Sequence, residues 1–237
     1  MLSAPTALKG CTVSGDRSIE FFDRQFEWQI RQPDIGLNPF EQAALPYLQG
    51  KVLDYGCGMG QLALAAARVG RSVLALDASE VAIDHLRRIA GSEQLPLSAG
   101  VADLRSHRLD QHFDTIVSIG LLMFFDCATA EGALAELDAH LRPGGTMIVN
   151  VLVEGTTYMD MFDPQGHCLF ERDALSRRFA KWEIVSSTHS DYAAPGGLNK
   201  AFATVIARKP LMAWNGARRG SVTRARLSLN PVGRVAT

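Results

Sequence analysis

The sequence predicts a doubly wound α/β fold with a mostly parallel sheet of seven strands and an antiparallel hairpin at one edge. Between residues 51 and 152, five apolar strand-like runs alternate with helical runs, as in a parallel sheet covered by helices on both faces. Runs such as VLALD and IVSIG lack polar–apolar alternation, which indicates strands buried on both sides. WEIVSSTHSDY and KAFATVIARK flank a Pro-Gly-Gly segment and form the predicted hairpin.

Two helices are predicted before the first strand. They occupy a segment assigned to residues 18–50, after a flexible start at residues 1–17. Phe22 and Phe26 lie four residues apart on an apolar helical face. Asn38 precedes a proline and is the expected N-cap of the second helix. We interpret residues 18–50 as lid helices that cover a ligand-binding site.

The main domain is assigned to residues 51–209, followed by a tail at residues 210–237. From Lys209 onward the chain holds six basic residues and no acidic one, with little apolar periodicity. A disordered tail and a basic contact arm both fit this composition.

Composition narrows the classes of partner. The formal net charge is −1, with 24 basic and 25 acidic side chains, so nucleic acid is not an expected partner. No apolar stretch reaches the roughly 20 residues of a membrane helix, and no signal peptide is recognised, which predicts a cytoplasmic location. For the oligomeric state, a monomer and a homodimer both stay open. The cysteines lack metal-ligand spacing, so we expect free thiols and no metal at Cys11, Cys57, Cys127 and Cys168.

A glycine-rich turn follows the first strand. Gly56, Gly58 and Gly60 are spaced G-x-G-x-G and lead into the helical run QLALAAARV. Glycines let the backbone approach a ligand, and the helix offers free N–H groups. A dinucleotide fingerprint has the spacing G-x-G-x-x-G/A, and its third small residue is missing here because Gln61 occupies that position. Asp54 precedes the glycines, and a carboxylate there favours an ammonium group over a pyrophosphate.

Two more acids end the next two strands. Asp77 ends VLALD and is expected to accept hydrogen bonds from ribose hydroxyls. Asp103 ends GVAD and is expected to accept one from an adenine amino group. A helix cap for Asp77 and a solvated turn for Asp103 are the structural alternatives. As a strand-end acid facing a cleft, Asp77 is expected to pack against little, so its loss should leave the free protein's stability unchanged.

These motifs together resemble those of the class I S-adenosylmethionine (AdoMet)-dependent methyltransferases. The similar segments are LDYGCGMG, LALDAS, VADL, FDTIVSIGLLMF and LRPGG, the last read as the turn before the fifth strand. The resemblance implies a class I methyltransferase-like Rossmann fold with AdoMet as cofactor and S-adenosylhomocysteine as product. The implied cofactor-binding residues are Asp54, Gly56, Cys57, Gly58, Gly60, Asp77, Ala78, Asp103, Leu104 and Ile119.

A narrower resemblance concerns the methyl acceptor. FFDRQFE, LLMFF and FATVIARK are similar to segments of the tellurite-resistance methyltransferases, which methylate tellurite and selenite. That family carries arginines in the loop before the final strand, whereas this chain has His189, Asp191 and Lys200 there. Tellurite, selenite, a thiol and other small nucleophiles therefore all stay open.

His189 and Tyr158 are the predicted catalytic residues, with His167 as a third candidate for acceptor contact. His189 follows a strand of the predicted hairpin, which could lean over the acceptor. Tyr158 and His167 lie in a long loop after the fifth strand, and long loops often line binding sites. The aromatic side of the first helix, with Phe21, Phe22, Phe26 and Trp28, is expected to form a lid over the cofactor, and packing against the core is the structural alternative.

Two other functions remain compatible with the sequence. One is a nicotinamide-dependent oxidoreductase with a Rossmann fold, which the G-x-G-x-G spacing and Asp54 disfavour. The other is a non-catalytic AdoMet-binding protein, because the three acids indicate cofactor binding and not turnover.

Overall fold

A computed structural model describes residues 17–32, 35–163 and 166–211. The predicted tail lies outside these residues, apart from its first two, and so does the predicted flexible start, apart from Arg17, which begins the first helix. Within the described part of the chain, no helix is long and apolar enough to span a bilayer.

One seven-stranded sheet has the order β3-β2-β1-β4-β5-β7-β6. Strands β1 to β5 pair in parallel, whereas β7 pairs antiparallel with both β5 and β6. The predicted fold class and edge hairpin are therefore confirmed. The strands are β1 (Lys51–Tyr55), β2 (Ser72–Asp77), β3 (Leu97–Val101), β4 (Phe113–Ile119), β5 (Leu141–Leu152), β6 (Glu183–Ala194) and β7 (Leu198–Arg208).

Six α-helices are seen in the described residues, and two of them precede the sheet as predicted. Asn38 caps the second helix: its side chain accepts hydrogen bonds from the N–H groups of Phe40 and Glu41, while the Glu41 carboxylate accepts one from the Asn38 N–H. This capping box sets where the helix begins. The helices are α1 (Arg17–Ile30), α2 (Pro39–Ala44), α3 (Gln61–Arg68), α4 (Glu80–Ser92), α5 (Cys127–His140) and α6 (Ala174–Arg178).

The two sheet faces support separate apolar cores, as expected of strands covered on both sides. Leu53, Ile116 and Val149 belong to the core that packs against α5. Val117 and Ile148 belong to the core against α3 and α4. Adjacent strand residues thus enter opposite cores, which is why IVSIG shows no polar alternation.

The LRPGG segment is part of β5 and does not form a separate turn before it. Leu141 pairs with Phe113, and the next paired residues are Thr146 and Thr115, so the intervening residues of β5 form a bulge. Gly144 has a φ of 76°, and a Cβ on Gly145 would lie 2.8 Å from the Asp114 carbonyl oxygen. The glycines permit this local departure from pairing.

The expectation of free thiols is wrong for two cysteines. Cys127, at the start of α5, forms a disulfide with Cys168, 41 residues later, with 4.8 Å between their Cα atoms. The loop after β5 folds back here: the Cys168 N–H donates to the Met123 carbonyl, and Val153 pairs with Phe170. This proximity depends on long-range folding, so sequence spacing gave no sign of it. Cys57 is a buried free thiol.

Candidate functional site

The glycine turn after β1 lines a cavity of about 540 Å³. Gly56, Gly58 and Gly60 all have positive φ values, of 82°, 50° and 70°. A Cβ on Gly56 would lie 2.8 Å from the Leu121 side chain, and one on Gly60 would lie 2.6 Å from Leu86. The sequence therefore needs glycine at these positions for both conformation and space.

Three strand-end acids border this turn, as the parallel topology requires, since the carboxyl ends of parallel strands share one edge. Asp54 is 6% exposed, and its carboxylate interacts with the N–H of Ala63 in the first turn of α3. Asp103 accepts a hydrogen bond from the Arg105 N–H at 3.1 Å. The Arg105 guanidinium lies 3.9 Å from the same carboxylate.

Asp77 contributes to the structure as well as bordering the cavity. One carboxylate oxygen accepts a hydrogen bond from the Gly58 N–H at 2.8 Å, and the other accepts one from the Ser79 N–H at 2.9 Å. Asp77 thus ties the glycine turn to the start of α4, and the expectation that it packs against little is wrong. The cap of α4 itself is Ser79, whose hydroxyl accepts from the Ala82 N–H.

Negative charge accumulates in this cavity. Among the described lining residues, four are acidic (Glu41, Asp54, Asp77 and Asp103) and two are basic (Arg105 and Lys200). Burial, followed by the charges of Glu41 and Asp77, raises the pKa of Asp54 to about 8. Burial also raises the pKa values of Asp77 and Glu41. The cavity therefore favours a ligand that brings positive charge.

Helix α1 closes one side of the cavity with aromatic rings. Phe21, Phe22 and Phe26 line it, and the Phe26 ring would lie 3.3 Å from a Cβ on Gly58. Phe22 packs edge-on against Phe124 with 5.0 Å between ring centroids. Trp28 does not contribute to this lid: it is 61% exposed and absent from the lining, because it projects from the outer side of α1.

All ten residues predicted from the resemblance to bind the cofactor line this one cavity. The structure thus brings together residues from the ends of β1, β2 and β4 and from the segment after β3. Their binding role stays a prediction.

The predicted acceptor-side residues lie elsewhere. The His189 ring contacts the Arg172 carbonyl oxygen at 2.7 Å through Nε2 and does not line the cavity. His189 pairs with Ala203, whereas Phe202 and Lys200 line the cavity. Since side chains alternate between sheet faces, His189 lies on the face away from the cavity.

The two candidates in the loop after β5 also lie outside the lining. The Tyr158 ring stacks against the Lys200 ammonium, which is 4.6 Å from the ring centroid, so Tyr158 supports a lining residue. His167 contacts the Asp163 carbonyl at 3.1 Å through Nδ1 and packs against Phe162. Among the described residues of this loop, Met161 lines the cavity.

The sequence interpretation gave no site role to several polar lining residues, among them Glu41, Arg105 and Asn150. Glu41 was hidden by its place in a capping box, where a glutamate is expected for helix stability alone. Asn150 is a polar residue inside the apolar strand TMIVNVLV, and this interruption is the signal that could have identified it.

Comparisons with known proteins agree with this geometry. Residues 52–145 match the methyltransferase domain family. The chain is 26% identical over 166 residues to the probable S-adenosyl-L-methionine-dependent methyltransferase TehB of Haemophilus influenzae, covering 67% of this chain and 57% of that protein. It is 32% identical over 170 residues to hemagglutinin 1 of Eikenella corrodens, covering 68% of this chain and 55% of that protein. The chain thus spans little more than half the length of these relatives.

Solved structures share the fold. The crystal structure of TehB from Haemophilus influenzae aligns with a TM-score of 0.64 at 22% identity, covering 79% of this chain and 67% of that one. The N-methyltransferase NodS from Bradyrhizobium japonicum, solved with S-adenosyl-L-homocysteine, aligns with a TM-score of 0.62 at 17% identity, covering 82% of this chain and all of that one.

Proposed function

We propose that this chain, which belongs to the class I methyltransferases through the domain at residues 52–145, transfers the methyl group of AdoMet to a small-molecule nucleophile. The observation that carries the proposal is the excess of carboxylates around a glycine turn in one cavity. A sulfonium and an ammonium group would offset the effects that raise the pKa of Asp54, which are burial first and then the charges of Glu41 and Asp77. The pyrophosphate of a nicotinamide dinucleotide would add to the negative charge, which argues against the oxidoreductase alternative.

The residues present fit AdoMet. Asp54 would hold the ammonium end, because it is buried and has Glu41 and Asp77 as charged neighbours. Asp77 would accept hydrogen bonds from the ribose hydroxyls, since a carboxylate has about four lone-pair sites and its backbone partners Gly58, Ser79 and Ala78 do not use all of them. Asp103 and Leu104 would border the adenine, and Gly56, Gly58 and Gly60 allow the backbone to approach the methionine part.

When bound, AdoMet supplies a methyl group on a positively charged sulfur, which is activated for in-line displacement. This chain's own contribution is to orient and to exclude water. The rings of Phe22, Phe26 and Phe124 cover the cavity with apolar surface. Alignment of two bound reactants supplies on the order of 7–11 kcal/mol of the barrier reduction in comparable intramolecular reactions. A soft acceptor that is already ionised needs no base beyond this.

Binding of the product tests the first part of the proposal. We expect S-adenosylhomocysteine to bind with a dissociation constant in the micromolar range or tighter, while NAD shows no saturable heat in calorimetry. Asp54→Asn should weaken S-adenosylhomocysteine, whereas Asp84→Asn, an exposed acid on α4 that pairs with Arg87, is the matched control and should bind normally. Tighter binding of NAD would reject the proposal.

Turnover tests the second part. Tellurite, selenite and small thiols are the acceptors that the sequence leaves open. Lys200 and Arg105 are the basic side chains among the described lining residues, so they are the cations available to an oxyanion. A screen of these acceptors that measures S-adenosylhomocysteine formation separates an enzyme from a non-catalytic binding protein. Binding of S-adenosylhomocysteine without transfer to any acceptor would support the non-catalytic alternative.

A further inference from the structure

Asn150 is a fully buried polar residue that lines the cavity. It lies on β5, where it pairs with Ile119 of β4 and Thr204 of β7. The predicted cofactor residues come mainly from β1, β2 and the segment after β3, on the other side of the sheet order. We call the part of the cavity lined by Phe40, Asn150, Leu152, Lys200 and Phe202 the acceptor chamber.

The amide of Asn150 is only half satisfied. Its Nδ2 donates to the Thr204 hydroxyl at 2.8 Å. Its Oδ1 is buried and has no hydrogen-bond partner, although the residue lines the cavity and is 0% exposed. An unpaired amide oxygen in an apolar setting destabilises a protein, so such groups commonly have a binding role. The free oxygen can accept a hydrogen bond and cannot donate one.

The rest of the acceptor chamber is mainly apolar and aromatic. The rings of Phe40 and Phe202 lie 4.8 Å apart, and Leu152 pairs with Phe202 across β5 and β7. Its charged group is Lys200, a half-buried amine whose pKa is lowered by burial and which stacks on Tyr158. The same cavity is also lined by Glu41, whose charge adds to the effect of burial in raising the pKa of Asp54, so the cavity holds negative charge as well. These surroundings suit a neutral apolar body more than an anion.

We propose that the acceptor is a neutral molecule with an apolar, ring-sized body and one nucleophilic N–H or O–H head, which donates its hydrogen bond to Asn150 Oδ1. This inference rests on the proposed methyl transfer and names the substrate class of the same site. Methylation replaces the hydrogen of the head by a methyl group. A lone pair of the head forms the new C–O or C–N bond, the C–S bond breaks and leaves its electron pair on the sulfur of S-adenosylhomocysteine, and the proton of the head passes to water. An O-methylated product has no hydrogen to donate to Asn150, so it binds more weakly than the substrate.

A matched pair of small probes tests the proposal. Phenol and anisole share a ring, but phenol has an O–H donor and anisole carries a methyl group in its place. Their affinities for the full chain saturated with S-adenosylhomocysteine can be measured by ligand-observed NMR titration. Phenol should bind about 10-fold or more tightly than anisole, because one hydrogen bond to a buried polar group decides the difference. Aniline should behave like phenol, while benzoate and tellurite should bind more weakly than phenol.

Two variants show whether Asn150 causes the preference. Asn150→Leu removes the amide at similar volume and should reduce the ratio of phenol to anisole affinity to about one. Ser118→Ala is the control, because Ser118 is also buried with an unpartnered hydroxyl but does not line the cavity. It should leave the ratio unchanged. Should Asn150→Leu fail to fold, Asn150→Ala provides the same comparison.

The outcomes separate this inference from the proposed function. Failure of S-adenosylhomocysteine to bind would reject the proposed function itself. Normal binding of S-adenosylhomocysteine with anisole, benzoate or tellurite preferred over phenol, or with no detectable phenol and aniline binding, would overturn the inference about the acceptor alone. An unchanged phenol-to-anisole ratio in Asn150→Leu would overturn the role of Asn150.

Discussion

Asp54→Asn is the substitution that most directly tests the electrostatics of the cavity. Asp54 is 6% exposed, and burial together with Glu41 and Asp77 raises its pKa from 3.8 to about 8. Between those two values the folded protein holds a proton that the unfolded chain releases. The carboxyl group therefore lowers stability progressively as pH rises from about 4 to about 8.

The magnitude follows from linkage. At pH 7 the shift corresponds to about 4 kcal/mol of lost stability. Asparagine resembles the protonated acid in shape and has no charge to desolvate, so Asp54→Asn should stabilise the free protein at pH 7 and 8. Urea denaturation should show this gain, and the gain should shrink toward zero near pH 4.

Cofactor affinity should change in the opposite sense. The ammonium group of S-adenosylhomocysteine would bind the ionised carboxylate, which is only about 1% populated at pH 6 and about half populated at pH 8. Wild-type affinity for S-adenosylhomocysteine should therefore weaken about 50-fold from pH 8 to pH 6. Asp54→Asn should show a nearly flat profile and bind more weakly than wild type at pH 8.

Calorimetry at pH 6, 7 and 8 measures these profiles. Glu41→Gln is an informative companion, because it removes one of the two negative charges that raise the pKa of Asp54. Its binding profile should move to lower pH while keeping the slope of the wild type. A wild-type affinity that changes less than 3-fold over this range, or an Asp54→Asn variant with the wild-type slope, would refute the electrostatic reasoning.

Two further predictions concern the frame of the site. Asp77→Ala removes the acceptor of the Gly58 and Ser79 N–H groups. It should lower the free energy of unfolding by about 1–3 kcal/mol, measured by urea denaturation. It should also weaken the affinity for S-adenosylhomocysteine about 10- to 100-fold, measured by calorimetry. Unchanged stability would mean that those two hydrogen bonds are dispensable. Replacing Cys127 and Cys168 together by serine should remove about 4 kcal/mol, since the disulfide closes a loop of 41 residues. Cys57→Ser is the matched control, because it replaces a cysteine that forms no disulfide. A dithiol reductant should destabilise the wild type but not the double variant. Equal thermal midpoints for wild type and double variant would contradict this prediction.

The sequence by itself determined the fold class and the cofactor end of the cavity. Both depend on local order along the chain: apolar runs of strand length alternate with helical runs, and the acids stand where strands end. Because the carboxyl ends of parallel strands meet at one edge, Asp54, Asp77 and Asp103 had to converge once the order of elements was known. The three glycines of the turn have positive φ values, which few other residues tolerate.

Only the tertiary structure decided the acceptor end. Whether a residue of the hairpin enters the cavity depends on strand register, and a shift by one residue reverses the face. His189 pairs with Ala203 and lies outside the cavity, whereas Lys200 and Phe202 lie inside it. The contact of Cys127 with Cys168 and the free oxygen of Asn150 likewise arise from packing between segments far apart in sequence, which no local pattern encodes.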